Sequence, residues 1–223
     1  MPHQKNKKIL IYVFLFLLIG TFNNKNLENI DIVKVNKIYV TGLDQKSNKT
    51  LMNNLNFLKI SNLFFLNDKE ITKIITANNF VEDYFVFKKY PSTLNITINK
   101  TKFLAKVKKN GNSFFLGANG KLIKEIITDQ TVPIIFGNFE NKNFFELKKA
   151  IDETYFDYDE IKNLFFFKSG RWDIETNSGI LIKLPKKNLK RSLELSINIL
   201  SKDYQKKINK IDLRQLNQII ING

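Results

Sequence analysis

Residues 9–22 read ILIYVFLFLLIGTF, without a charge and without a polar face, directly behind Lys7 and Lys8. A segment that is apolar all round must be enclosed on every side by protein or lipid, or removed as a signal core. Fourteen residues give about 21 Å of helix against about 30 Å of hydrocarbon. Length alone therefore favours a signal core or a buried helix. Three features favour an uncleaved anchor instead. Lys7 and Lys8 can snorkel, Asn23 and Asn24 can lie in the interface, and neither Leu18-Ile19-Gly20 nor Gly20-Thr21-Phe22 offers a small-x-small cleavage pattern. The reading is a cytoplasmic stub at 1–8 and an anchor at 9–22, with a cleaved signal and a core helix as alternatives. Lys5, Lys7 and Lys8 precede the run and only Lys25 follows closely, so the positive-inside rule puts the bulk of the chain beyond the membrane.

The chain beyond this run is large enough to fold. Of 223 residues, 193 remain after the first 30, and 43% of the chain is hydrophobic, enough for one large or two small cores. The net charge of +15 raises the question of nucleic acid. Arg occurs only at 171, 191 and 214, so 33 of the 36 basic residues are Lys. Readers of base edges lean on the Arg fork, and no nucleic-acid partner is expected. Cysteine is absent, which removes both disulfides and thiolate chemistry.

Chemistry is sparse. His3 is the only histidine and stands ahead of the apolar run, so no zinc cluster or His-based triad is expected. No glycine-rich phosphate loop occurs, and no cofactor, metal or catalytic residue is assigned. Asp152, Glu153, Asp157, Asp159 and Glu160 are the densest acids. A wall-cleaving glycosidase needs two carboxylates across a cleft, whereas five within nine residues read as solvated. The basic run Lys186, Lys187, Lys190 and Arg191 reads the same way. Where Lys fills nearly every basic position, the arginines at 171 and 214 suggest a need for planar, bidentate geometry, met by a partner or by a salt bridge within the fold. Trp172 reads as a core aromatic, with partner contact as the second reading.

Periodicity gives the organisation. After a linker at 27–31, residues 32–42 alternate as a half-buried strand ended by Gly42. Ser47 and Asn48 can cap a helix carrying Leu51, Met52, Leu55 and Leu58, and Asn67 or Asp68 a second with Ile71, Ile74 and Ile75 inward. Val81–Lys89 is a strand, Tyr90-Pro91-Ser92 a turn, and Leu94, Ile96 and Ile98 mark a strictly alternating partner. The order is β-α-α-β-β over 33–107. Beyond it the pattern turns β-rich: a hairpin around Asn119-Gly120, a short strand after Pro133, a helix over 142–154, strands at 161–167, 171–175 and 180–184, a helix behind Asn188, and final strands at 208–213 and 218–221.

This order carries a resemblance. Val40-Thr41-Gly42, Asn62-Leu63-Phe64, the turn Lys89-Tyr90-Pro91-Ser92 and Ala105 resemble the POTRA domain of the bacterial FtsQ/DivIB cell-division family. Arg171-Trp172-Asp173, the run from Asn177 to Pro185, and Ile211-Asp212-Leu213-Arg214 before Gln218 resemble its later hairpins. Where the family commonly has Glu-Arg-x-Pro-x-Ala, this chain keeps only Ala105. The resemblance implies an α+β protein: a transmembrane helix, a POTRA domain (33–107) and a mainly antiparallel β domain with flanking helices (108–223). It implies a non-enzymatic scaffold of the inner membrane, N-terminus cytoplasmic, bulk periplasmic at the septum, binding small single-pass coiled-coil proteins of the FtsB and FtsL type, with the POTRA domain meeting other division components. The expected partner site is Arg171, Trp172, Arg214, Gln215, Gln218, Ile219, Ile220 and Ile221, with a partner strand added to the last strand and the arginines gripping a partner carboxylate. Gln215 stands where the family often has an aromatic. A wall-active enzyme and a POTRA-bearing transport component are the alternatives; the latter normally needs a β-barrel longer than this chain leaves room for.

Overall fold

The computed structural model describes residues 3–22, 34–124, 130–202, 208–215 and 218–222. The expected linker, Asn23, Asn24, and Ile32 and Val33 of the expected first strand lie outside them. Helix α1 spans His3–Phe22. From Ile9 to Leu18 every side chain stands exposed, from 38% at Leu18 to 76% at Phe16. No helix among the described residues is long and apolar enough to cross a membrane. The lysines at 5, 7 and 8 occupy the first turns of α1 and leave fourteen uncharged residues behind them. The chain divides into two compact units between Lys100 and Thr101.

In the first unit the expected β-α-α-β-β order is found. Strand β1 (Lys37–Thr41) is followed by α2 (Gln45–Asn54), two short 3-10 segments (Asn56–Ile60, Leu63–Phe65), α3 (Asp68–Thr76), β2 (Val81–Lys89) and β3 (Thr93–Lys100). The sheet order is β1-β3-β2, with β1 parallel and β2 antiparallel to β3. Leu94, Ile96 and Ile98 face a core completed by Leu51, Leu55, Ile71 and Ile75. Asn67 caps α3 as expected, but α2 is capped by Asp44, whose side chain accepts from Ser47 N. Asn48 instead exchanges two hydrogen bonds with the Leu43 backbone. Leu55 and Leu58 fall beyond the end of α2 yet remain buried. Gly42 ends β1 at φ +106°, where a Cβ would fall 1.8 Å from the Ile98 carbonyl oxygen, so no side chain fits there.

The second unit holds β4 (Phe103–Lys109), β5 (Asn112–Gly117), β6 (Leu122–Lys124), β7 (Ile134–Phe136), α4 (Asn141–Asp152), β8 (Ile161–Phe166), β9 (Trp172–Thr176), β10 (Leu181–Lys183), α5 (Leu189–Lys202), β11 (Lys210–Gln215) and β12 (Gln218–Asn222). They form one sheet in the order β12-β11-β10-β9-β8-β7-β4-β5-β6. Five of its eight pairings are antiparallel and three parallel. The helices α4 and α5 lie in the connections β7–β8 and β10–β11, both parallel pairs, as parallel strands require a crossover. Periodicity alone puts residues up to 107 with the first domain. Strand β4 pairs with β5 and β7 instead and so belongs to the second sheet. Core residues Leu164, Ile174, Ile182 and Ile211 are fully buried with Phe144, Leu147 and Leu193 of α4 and α5.

Candidate functional site

One edge of the nine-stranded sheet stands apart. Strand β12 pairs only with β11, and no described strand covers its other side. All five of its residues are exposed, and Ile219, Ile220 and Ile221 are 42–44% accessible. Three consecutive isoleucines suit a strand by propensity, but alternation sends them to both faces.

Register shows what each face continues. Directly paired residues share a face, and Ile135, Leu164, Ile174, Ile182, Ile211 and Ile221 form one row across β7, β8, β9, β10, β11 and β12. Its first five members are buried and Ile221 is open. The core row thus runs off the sheet at β12. On the opposite face the next row is Phe136, Phe165, Asp173, Lys183, Asp212 and Ile220.

The two expected arginines stand beside this second row. Arg171 lies two residues before Asp173 on β9, and Arg214 two after Asp212 on β11, so each Arg shares a face with its own Asp. Arg214 forms a fork to Asp212, Nε to Oδ1 at 2.8 Å and Nη2 to Oδ2 at 2.5 Å. These bonds hold the Asp212 carboxyl below the usual carboxylate range. The Arg171 pair is looser: Nε stands 3.5 Å from Asp173 Oδ1 without a hydrogen bond, and both atoms are buried. The guanidinium lies 4.1 Å from the Phe167 ring centre. Burial pushes the Asp173 carboxyl up, against the pull of Arg171 and Lys183. Lys183 pairs with both acids from the strand between them.

The expected site residues therefore separate. Gln215 meets Gln218 where the β11–β12 register shifts, and both line a groove of about 340 Å³ with Ile219, Leu213 and Leu195 of α5. Each arginine faces an Asp two residues away; Arg214 keeps 40% of its side chain exposed and Arg171 26%. Trp172 takes the first of its two readings, a core aromatic, and so leaves the expected partner set. It is buried, with ring centres 4.7 Å from Phe166 and 5.8 Å from Phe139, because it sits on the core face of β9. Sequence reasoning missed Lys183, Asp173 and Asp212 as a set, although Arg-x-Asp and Asp-x-Arg, both at a spacing of two, were the available signal.

Three of the five acids weighed for catalysis are occupied locally. Asp152 pairs with Lys148, and Glu153 with Lys149 and Lys190. Asp157 accepts from Asp159 N. No group of three or more His, Cys, Asp or Glu among the described residues could hold a metal ion.

Comparison with known proteins bears on both units. Residues 105–214 match the family model described as Cell division protein FtsQ/DivIB, C-terminal, and residues 33–100 match the POTRA domain, FtsQ-type. Cell division protein FtsQ of Rickettsia bellii is 24% identical over 191 residues, covering 84% of this chain and 72% of the relative. Those of Rickettsia prowazekii and Rickettsia felis are 23% and 24% identical with the same coverage. The solved major extracytoplasmic domain of the trans isomer of the cell division protein DivIB from Geobacillus stearothermophilus is 17% identical, at a TM-score of 0.36 over 49% of this chain and 99% of that one. With FtsQ-type models matched across both folded units, the chain belongs to the FtsQ/DivIB family of bacterial cell-division proteins.

Proposed function

We propose that the chain is a membrane-anchored division scaffold, without catalysis of its own, that takes a strand from a small single-pass coiled-coil partner of the FtsB or FtsL type onto β12. The observation that carries this is the open edge, where a buried row of aliphatic side chains ends at the exposed Ile221. A strand laid against β12 would pair its outward N–H and C=O groups and extend that row. Ile219, Gln215 and Gln218 border the groove beside α5, and a partner side chain entering it would fix the register. Arg171 and Arg214 would reach a partner carboxylate only by sharing it with Asp173 and Asp212, so they tune the contact while the backbone supplies most of it. Helix α1, with apolar side chains exposed from Ile9 to Leu18, would hold the chain in the inner membrane with its bulk in the periplasm at the septum. Its lysines would snorkel to make up the short apolar length. The first unit would meet other division components.

Successive amides of a strand point to opposite sides. Of Ile220→Pro and Ile221→Pro, one therefore removes a donor facing away from β11. That variant should lose partner pull-down, on the order of 100-fold or more in affinity, while its thermal unfolding stays cooperative. Full binding by both folded variants would defeat the strand-addition reading. In cells, depletion of the chain should give undivided filaments; normal septation would remove the scaffold role.

A further inference from the structure

We infer that one end of the first unit is a membrane-docking surface that seats on a bilayer bearing anionic phospholipid headgroups. Three segments meet there. Lys34 bridges to Asn62, and Val35 N donates to Ser61 O at 3.2 Å. The amides of Asn36 and Lys37 both donate to Ser92 O, at 2.7 and 3.2 Å. Phe64 stacks on Tyr90 with ring centres 4.8 Å apart, and Lys88 Nζ reaches Phe64 O at 3.5 Å. The start of β1, the 3-10 segments and the β2–β3 turn thus form a single end of the unit.

That end is unusual in what it shows to solvent. Ile60 is 81% exposed, and Phe64, Phe65 and Tyr90 are 53–54% exposed. Single exposed apolar residues need no explanation, but a cluster does. Around them stand Lys34, Lys37, Lys59, Lys88 and Lys89, and residues 34–37, 56–65 and 88–92 contain no acid. The nearest acids in sequence are Asp31, three residues before Lys34, and Asp68, three after Phe65 in the first turn of α3. Aromatic and aliphatic side chains ringed by lysines match an anionic interface, where rings settle at headgroup depth and each ammonium gains from the surface potential. An acidic protein would match the lysines but leave Ile60 and the rings without an apolar partner.

The tether fits the same occupant. Eleven residues, 23–33, separate α1 from Lys34, and chain geometry limits their reach to about 40 Å. The anchored reading of α1 would keep this end close to the bilayer, while the docking surface itself is defined by its own side chains.

The chain has no cysteine, so single-cysteine labelling of the full-length protein in lipid nanodiscs is clean. An environment-sensitive fluorophore would be placed at Ile60→Cys, at Leu15→Cys within α1, and at Lys46→Cys on exposed α2. Shallow nitroxide lipids should quench the label at 60 in discs containing phosphatidylglycerol, less so in pure phosphatidylcholine or high salt, and should leave the label at 46 untouched, while lipids carrying the nitroxide deep in the acyl chain should quench the label at 15. Lys88→Glu with Lys89→Glu should lower the docked-to-undocked ratio on the order of tenfold. Equal quenching at 60 and 46 overturns the docking surface. A label at 60 that moves to an apolar environment in proportion to copies per disc, without lipid quenching, also overturns it and names a second copy as occupant. Quenching at 15 without quenching at 60 leaves the anchor standing and removes this inference. Quenching at 60 without 15 supports docking and removes the anchor, and quenching at neither site removes both.

Discussion

The two edges of the nine-stranded sheet are built differently. At one end β6 is three residues long, and its central Ile123 is only 3% exposed. At the other end β12 is five residues long and none of them is buried. An open edge invites pairing with another chain, and proteins commonly blunt it by shortening or covering the strand. The short β6 fits that practice. The longer β12 presents two ranks of isoleucine and a core row cut off at its last member. A five-residue, isoleucine-rich edge of this kind is what the proposed strand addition requires.

The largest effect that could break this contrast is on stability. Ile123→Ala on β6 should lower unfolding free energy by about 2–4 kcal/mol, as a buried aliphatic truncation does. Ile221→Ala on β12 should cost below about 1 kcal/mol, because nearly half of its side chain is already in water. Chemical denaturation of both variants checks this, and equal losses would mean that β12 is covered in solution. Next in size is the charge contribution at the edge. Arg214→Glu should weaken partner binding about tenfold in titration calorimetry, and Lys186→Glu on the order of twofold. Matched effects would reduce the arginine to general surface charge.

The smallest effect concerns the two Arg–Asp pairs. The Asp212 carboxyl is lowered by Arg214, so its contribution is present above the unfolded value near 3.8 and is lost as pH falls through the lower folded value. Asp212→Asn should cost about 1–2 kcal/mol at pH 7 and less as the solution is acidified toward pH 3. The Asp173 carboxyl is raised, mainly by burial. Its fold binds a proton more readily than the unfolded chain does, and stability falls as pH rises between the two values. Asp173→Asn should therefore match or exceed the parent at pH 7 and lose that advantage below about pH 4. Melting curves at three pH values separate the two signs.

The first unit was largely legible because its signals are local. The strict alternation at Leu94, Ile96 and Ile98 became a buried face, and Val81–Lys89 became a strand with those bounds. The misplaced cap of α2 was a local ambiguity, since Asp44, Ser47 and Asn48 are all capping types and only the position of the first turn decides among them. The boundary after 107 was a long-range error. Alternation at Phe103, Ala105 and Val107 declares a strand but cannot say which sheet receives it, and β4 pairs with β7 some thirty residues away. The same limit hid the charged row. Asp173, Lys183 and Asp212 come together only through the register of three strands. Trp172 was readable as core, since it alternates with Asp173 and Arg171 on a strand whose other face is charged.

Amide hydrogen exchange of the full-length chain in nanodiscs, with and without a coiled-coil division partner, tests the central claim most directly. Alternate amides of Gln218–Asn222, those facing away from β11, should gain at least tenfold protection on binding, while Leu122–Lys124 stays unchanged. Protection that rises elsewhere with β12 unaltered would contradict the account.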